Sequence, residues 1–132
     1  MKTTPPLREG TACTSKRTES FEIVDFNGLP GTPCPCGIAK RGLMDSEQVP
    51  YSLHLTEISE DAKAHYHKRL TETYFILECG PSAAIELDGI AVPIQPHTAI
   101  TIYPGTRHRA LGKMKVAIVV TPKFDESDEW FD

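Results

Sequence analysis

The side chains of this sequence whose types and spacing could do chemistry are His65, His67, Glu72 and His108. Alternate side chains of a strand share a face, so His65 and His67 project together, with their Cα atoms about 6.6–7 Å apart. Glu72 follows a short polar turn, from which an antiparallel neighbour can bring its carboxylate opposite the pair. His108 comes from far along the chain, behind a tight Pro-Gly turn, and completes a set of three imidazoles and one carboxylate.

This set predicts one divalent transition metal ion per chain. Nitrogen-rich ligand sets suit Fe or Mn, and also Zn, Ni or Cu, better than Mg or Ca. Four protein ligands leave two positions of an octahedral ion open for a substrate or O₂. Glu72 is also the candidate catalytic residue, because a carboxylate that leaves the ion can act as a base.

The elements that must position these residues are short strands. From Tyr51 onward the chain alternates apolar and polar residues over short runs, and Asp88-Gly89 between two such runs predicts a hairpin. Pro93 indicates an edge strand or a bulge. Seven or eight closely spaced strands without a long helix predict an all-β fold, an antiparallel sandwich or barrel. Its expected core is Phe75, Leu77, Ile100, Ile102, Val116, Ile118 and Val120.

The chain divides into four segments by composition. Residues 1–20 are polar and without period, and we expect a flexible N-terminus there. The arm holds a Gly- and Pro-rich stretch over 27–37, which predicts an irregular loop, and a weak helical turn after it. The expected segments are the terminus at 1–20, the arm at 21–50, the barrel at 51–125 and a tail at 126–132.

The two motifs resemble those of the cupin superfamily. Its first motif, a His-x-His followed by a Glu and a later Gly, matches His65, His67, Glu72 and Gly80. Its second motif, Pro-x-Gly-x-x-His, matches YPGTRH, with the proline moved next to the glycine. The usual Asn four residues after that histidine is replaced by Gly112.

The resemblance covers roughly residues 50–125. It implies a small single-domain cupin: a double-stranded β-helix, or jelly-roll, barrel that is often dimeric and holds a metal through the four matching positions. Because one fold hosts many functions, three functions stay open. They are an Fe(II) dioxygenase, a redox-neutral isomerase, epimerase or lyase acting on a sugar or sugar phosphate, and a small-molecule-binding protein without turnover.

The alternation of side chains along a strand also predicts which residues line the cavity. Tyr74 and Ile76 share the parity of Glu72, and His54 has the parity to face inward one strand earlier; these three are the candidate substrate-binding residues. Lys40 and Arg41 are the cations that could meet an anionic substrate.

Net charge, the N-terminal residues and the cysteines indicate the class of partner and the compartment of the protein. A net charge of −4 argues against nucleic acid or an anionic membrane as a partner, which leaves a small-molecule substrate. The N-terminal residues lack the apolar stretch of a signal peptide, so we expect a cytoplasmic protein. In that compartment all four cysteines, Cys13, Cys34, Cys36 and Cys79, are expected to be reduced.

The sequence further predicts a homodimer. The arm of residues 21–38 contains a short apolar run without a hairpin partner of its own, and the acidic tail carries aromatic residues that are costly to leave in water. We expect both near a two-fold interface.

Overall fold

A computed structural model of the chain describes residues 15–59 and 62–132. In these ranges the regular elements are strands and two short 3₁₀ turns, Phe26–Gly28 and Glu126–Asp128, and no helix is long and apolar enough to cross a membrane. The strands are β1 (Lys16–Arg17), β2 (Glu22–Ile23), β3 (Thr32–Cys34), β4 (Gly37–Gly42), β5 (Ser52–Ile58), β6 (Thr71–Cys79), β7 (Ala84–Leu87), β8 (Ile90–Pro93), β9 (Ala99–Ile102), β10 (His108–Leu111) and β11 (Met114–Thr121).

The strands form an antiparallel barrel of two main sheets. One sheet has six strands in the order β3-β4-β5-β11-β6-β9, and the other has three in the order β10-β7-β8, while β1 and β2 pair by themselves. Side chains from the inner faces of both sheets make a single core. The predicted all-β jelly-roll fold is confirmed.

Strand β11 lies at the centre of the large sheet, between β5 and β6. Its side chains alternate, with Val116, Ile118 and Val120 fully buried and the residues between them facing outward. These three core predictions are confirmed, as is Ile102 on β9. Phe75 was wrongly placed in the core: it is 41% exposed, because Tyr74 and Ile76 occupy the inward positions of β6.

The predicted hairpin at Asp88-Gly89 joins β7 to β8. Both residues have positive φ, 48° and 83°, as a two-residue type I′ turn requires. The Asp88 carboxylate accepts a hydrogen bond from the Arg107 N–H at 2.9 Å, which ties the turn to the loop before β10. Pro93 ends β8 at the free edge of its sheet, where its missing N–H costs no ladder hydrogen bond.

The arm is more ordered than its composition predicts. The stretch 27–37, expected to be an irregular loop, contains β3, and the segment expected to hold a helical turn begins with β4. Strand β4 joins the large sheet by pairing with β5, and β3 joins it by pairing with β4. Gly37 makes this possible, since it has a φ of 143° and a Cβ there would collide with the carbonyl of Glu57. The Gly and Pro residues thus mark a tight hairpin.

The prediction that all cysteines are reduced is wrong for one pair. Cys34 and Cys36 form a disulfide across the β3–β4 turn. The hairpin brings their Cα atoms to 5.2 Å, inside the range that a disulfide needs. Cys79 is free and half-buried, as expected. Cys13 lies outside the described residues.

The C-terminal tail folds back over the barrel of its own chain. Trp130 and Tyr66 exchange two backbone hydrogen bonds of 2.9 and 3.0 Å. Cations of the barrel stack on the tail aromatics, with Lys68 Nζ 3.5 Å from the Trp130 ring centre and Lys63 Nζ 4.3 Å from that of Phe131. Trp130 and Phe131 remain 39% and 42% exposed. The tail therefore runs across the segment that carries His65 and His67.

Candidate metal centre

The four predicted ligand residues meet inside the barrel. His65, His67, Glu72 and His108 each offer one ligand atom, and these atoms lie within 4.8 Å of one another. All four residues are 5% exposed or less. Local spacing brings the first three together, and the antiparallel fold supplies the fourth.

Backbone hydrogen bonds hold the two motifs against each other. His65 and His108 exchange N–H···O bonds of 3.1 and 2.9 Å, so their side chains leave the backbone at one level. The carbonyl of His67 accepts the N–H of Gly105 at 2.7 Å. Gly105 has a φ of 88°, which suits the third position of a type II turn after Pro104. The Pro-Gly turn therefore sets the depth at which His108 enters the site.

Each histidine is oriented by a main-chain carbonyl. The Nδ1 atoms lie 3.0 Å from Lys63 O for His65, 2.8 Å from Asp128 O for His67 and 2.9 Å from Thr106 O for His108. A carbonyl only accepts, so each Nδ1 carries the hydrogen. In the neutral imidazole this leaves the Nε2 lone pair facing inward, which is the arrangement that proteins use to orient metal-bound histidines.

Glu72 sits where these lone pairs converge. Its Oε1 lies 3.0 Å from Nε2 of both His67 and His108. Burial alone would raise the pKa of Glu72, but its contacts with the two imidazoles outweigh burial and hold the pKa well below its usual range. A carboxylate oxygen at this distance from ring nitrogens is stabilised by positive charge between them, either a proton on Nε2 or a metal ion. The donor set fits a divalent transition metal, and these four residues could hold one.

The electrostatic environment of the imidazoles agrees with this use. Burial, followed by repulsion from His108, lowers the pKa of His65 to about 4, so this ring stays neutral at neutral pH. Burial also acts to lower the pKa of His67, but the contact with Glu72 reverses the sign and raises it. The carboxylate thus attracts positive charge to the point where an ion would sit.

Asp128 in the tail supports the site, and the sequence reading missed it. Its carboxylate accepts hydrogen bonds from the backbone N–H groups of Lys68, Arg69 and Leu70, at 2.9–3.1 Å, and from the Trp130 indole at 3.1 Å. Its carbonyl accepts the Nδ1–H of His67. One buried residue therefore fixes both the turn after the His-x-His motif and one of its rings. No local spacing signals this, because about 60 residues separate the partners.

The predicted cavity residues all face the barrel interior. Tyr74 is 3% exposed and its ring centre lies 6.2 Å from that of His108. Ile76 is fully buried, and His54 is 4% exposed with its Nε2 3.0 Å from Ser52 Oγ. The parity breaks at Glu78, which is exposed, because the register between β6 and β11 shifts there.

Two charged residues lie close to these groups. Arg41 on β4 pairs in register with His54 on β5, so both side chains point to the inner face. Glu129 follows Asp128 in the tail and is half-buried. Burial raises its pKa, against the opposing effects of His67 and Arg41. The sequence indicated Arg41 as a possible contact of an anionic substrate but not which face of the sheet it lies on. Glu129 was not predicted to have a role.

Comparison with known proteins gives the family. No protein-family profile matches the sequence, and no curated protein is significantly similar to it. Among solved structures, a protein from Planctomyces limnophilus is 36% identical over 83% of this chain and 95% of its own, with a TM-score of 0.79. Pac13 from Streptomyces, a nucleoside dehydratase solved with uridine, is 20% identical over 79% and 84% of the two chains, with a TM-score of 0.67.

A third similar structure is that of a cupin. A cupin-2 domain protein from Shewanella frigidimarina is 19% identical over 58% of this chain and 74% of its own, with a TM-score of 0.50. The two lower identities show likeness of fold, whereas the similarity to the Planctomyces limnophilus protein shows common family membership. The chain therefore belongs to the same family as that protein, and it has the fold of a small cupin domain.

Proposed function

We propose that the protein is a metal-dependent enzyme that carries out a redox-neutral reaction, an elimination or isomerisation, on a small polar molecule. The observation that carries this proposal is the buried cluster of three inward-facing Nε2 atoms around Glu72. His65, His67, Glu72 and His108 could hold a divalent ion, which would supply Lewis acidity toward a carbonyl or hydroxyl oxygen of the substrate.

The residues around the cluster supply proton transfer. Glu129 is half-buried, and its raised pKa brings it closer to neutral pH, where a general acid or base works best. Burial raises the pKa of Tyr74 well above its usual value, so its hydroxyl stays protonated and can donate a hydrogen bond to a substrate oxygen. The second role predicted for Glu72, that of a base, requires its carboxylate to leave the two imidazoles that hold its pKa low. These groups support an acid and base reaction without an external oxidant.

The likeness to Pac13 supports the same class. That protein is a nucleoside dehydratase, and dehydration is a redox-neutral elimination. At 20% identity the likeness is one of fold. Nucleosides and sugar-like molecules are therefore the first compounds to test as substrates.

The Fe(II) dioxygenase remains the second candidate because of the donor set itself. Three imidazoles and one carboxylate bind iron well and leave two positions of an octahedral ion free. A site of that kind could hold a substrate and O₂ side by side.

Anaerobic purification followed by metal analysis and O₂ uptake separates the two candidates. With a panel of hydroxy acids, sugar acids and nucleosides, the proposal expects product formation without O₂ consumption by the Zn- or Mn-loaded protein. Glu129→Gln should lower kcat by about 10²–10⁴-fold while leaving metal content unchanged. Substrate-dependent O₂ uptake by the iron form would favour the dioxygenase instead, and turnover unaffected in Glu129→Gln would remove the acid and base role of that residue.

We also propose that the protein is a cytoplasmic homodimer. Three exposed apolar side chains of the arm, Phe21, Ile23 and Ile38, are 41–50% exposed and would gain from a partner surface. Light scattering at micromolar concentration should give twice the 14.6 kDa chain mass. A mass equal to one chain would rule the dimer out, and the tail contacts within one chain would then complete the fold.

A further inference from the structure

Strands β4 and β5 carry buried polar atoms without a hydrogen-bond partner. They are Nε of Arg41 and Oγ1 of Thr56, and neither finds an acceptor or donor within the part of the chain that the structure describes. Thr56 is 1% exposed. A buried polar atom left unsatisfied is costly, so each such atom needs an explanation, and a bound ligand is one.

Strand register places Arg41 and Thr56 on the inner face of the sheet. Arg41 pairs with His54, and the next inward pair along these strands is Ala39 with Thr56. His54 continues across the large sheet to Ile118 on β11 and Tyr74 on β6. Arg41, His54 and Tyr74 therefore form one inward row, which lies one inward position from Glu72.

The Arg41 guanidinium is held in place by an aromatic ring. Its Cζ lies 4.2 Å above the ring centre of Phe124, and the Phe124 N–H donates to Ser52 Oγ at 3.0 Å. Phe124 also meets the His54 ring edge-on, at 5.3 Å between centres. Stacking fixes the plane of the guanidinium while leaving its N–H edge available, which favours binding of a planar or tetrahedral oxyanion.

Arg41 differs from the other arginines in its lack of an ionic partner. Within residues 15–59 and 62–132, no carboxylate lies within 4.0 Å of its guanidinium. The other arginines in these ranges are all paired: Arg17 with Glu22, Arg69 with Asp125, Arg107 with Asp132 and Arg109 with Glu86. Among the arginines of the described ranges, the inward-facing one is thus the one whose charge is not neutralised by a direct contact.

We propose that Arg41 and Thr56 form an oxyanion subsite inside the barrel, so that the substrate is a small molecule with a carboxylate or phosphate group. The inference rests on the proposed function, since it supposes that the reacting end of the molecule meets the metal centre. The guanidinium then binds the anionic end with two N–H groups, and the Thr56 hydroxyl donates to the same group.

Isothermal titration calorimetry with inorganic phosphate and with succinate tests the subsite. Each probe is titrated into the Zn-loaded protein and into chelator-treated protein, after the metal content of both samples is measured. At least one probe should bind the wild type. Arg41→Met should weaken that binding by about 10–100-fold, the equivalent of a charge-assisted hydrogen bond of 1.5–3 kcal/mol. Tighter binding of phosphate points to phosphate esters, and tighter binding of succinate to carboxylates.

Lys40→Met is the matched control. It removes a neighbouring cation whose side chain lines the outer face of the sheet, among Asn27, Leu55 and Lys115, and it should leave probe binding unchanged. Arg41→Lys keeps the charge without the planar fork and should fall between Arg41→Met and the wild type. If Arg41→Met does not fold, Arg41→Lys and Thr56→Val are compared with Lys40→Met.

The outcomes separate the subsite from the metal centre. Equal binding by wild type and Arg41→Met, or equal losses in Arg41→Met and Lys40→Met, would overturn the subsite. So would a wild type that binds neither probe in either form. A wild type that binds a probe through Arg41 but holds no metal would contradict the proposed function alone.

Discussion

Replacing His67 by alanine is expected to remove most of the bound metal. The change deletes one of four ligands whose donor atoms converge within 4.8 Å, and it leaves Glu72 with one imidazole contact fewer. The loss of affinity should exceed the roughly 10–100-fold that follows loss of an outer-shell partner of a metal ligand. Elemental analysis of protein purified without a metal-affinity tag, followed by a chelator competition, measures it.

His97→Asn is the matched control for this prediction. It also removes an imidazole, but from an exposed turn where the ring stacks on Phe75 at 6.1 Å between centres. His97 has a φ of 68°, a conformation that asparagine tolerates well. The control should keep its full metal content. Equal metal content in the His67 and His97 variants would show that the ion binds elsewhere.

Asp128→Ala is expected to lower the free energy of unfolding by about 3–5 kcal/mol. The substitution removes the acceptor of four hydrogen bonds. Three come from the backbone N–H groups of residues 68–70 and one from the Trp130 indole, and all end on the buried carboxylate. Freed from this anchor, the tail should also hold His67 less firmly, because the carbonyl of the same residue accepts the His67 Nδ1–H. Urea unfolding of the metal-free protein measures the first effect, and metal titration the second.

Asp125→Ala serves as the comparison for Asp128. This residue belongs to the same tail and also accepts from a backbone N–H, that of Ser127, but its side chain is 43% exposed. Its partner Arg69 is exposed as well, so solvent screening leaves the pair only a small contribution to stability. If the two variants lost the same amount of stability, the carboxylate of Asp128 would have no special part in holding the tail to the site.

Most of the cluster of candidate metal ligands could be predicted from the sequence because the signals for three of its residues are local. Alternation puts His65 and His67 on one face, a short turn returns Glu72, and a Pro-Gly turn marks the entry of His108. Strand parity also placed His54, Tyr74 and Ile76 correctly toward the interior. The inferences for His65, His67, Glu72 and the parity residues need only the two-residue period of a strand and the geometry of a turn, whereas the place of His108 beside them was implied by the resemblance to cupins.

The features that could not be predicted from the sequence depend on pairing between distant segments. Asp128 reaches residues 68–70 across some 60 positions, and no spacing rule links them. Arg41 could be oriented only once β4 was known to pair with β5, and the sequence had predicted only a weak helical turn for its segment. The register shift at the end of β6 turned Glu78 outward, since a bulge resets parity without a sequence mark.

X-ray absorption at the K-edge of the bound metal tests the central claim most directly. Binding through His65, His67, Glu72 and His108 predicts three imidazole nitrogens and at least one oxygen, at about 2.0–2.2 Å if the metal is zinc. Multiple scattering from the imidazole rings should disappear in part in His108→Ala. A first shell containing sulfur at about 2.3 Å, or one without imidazole scattering, would place the ion at the cysteines or on the surface and contradict the account.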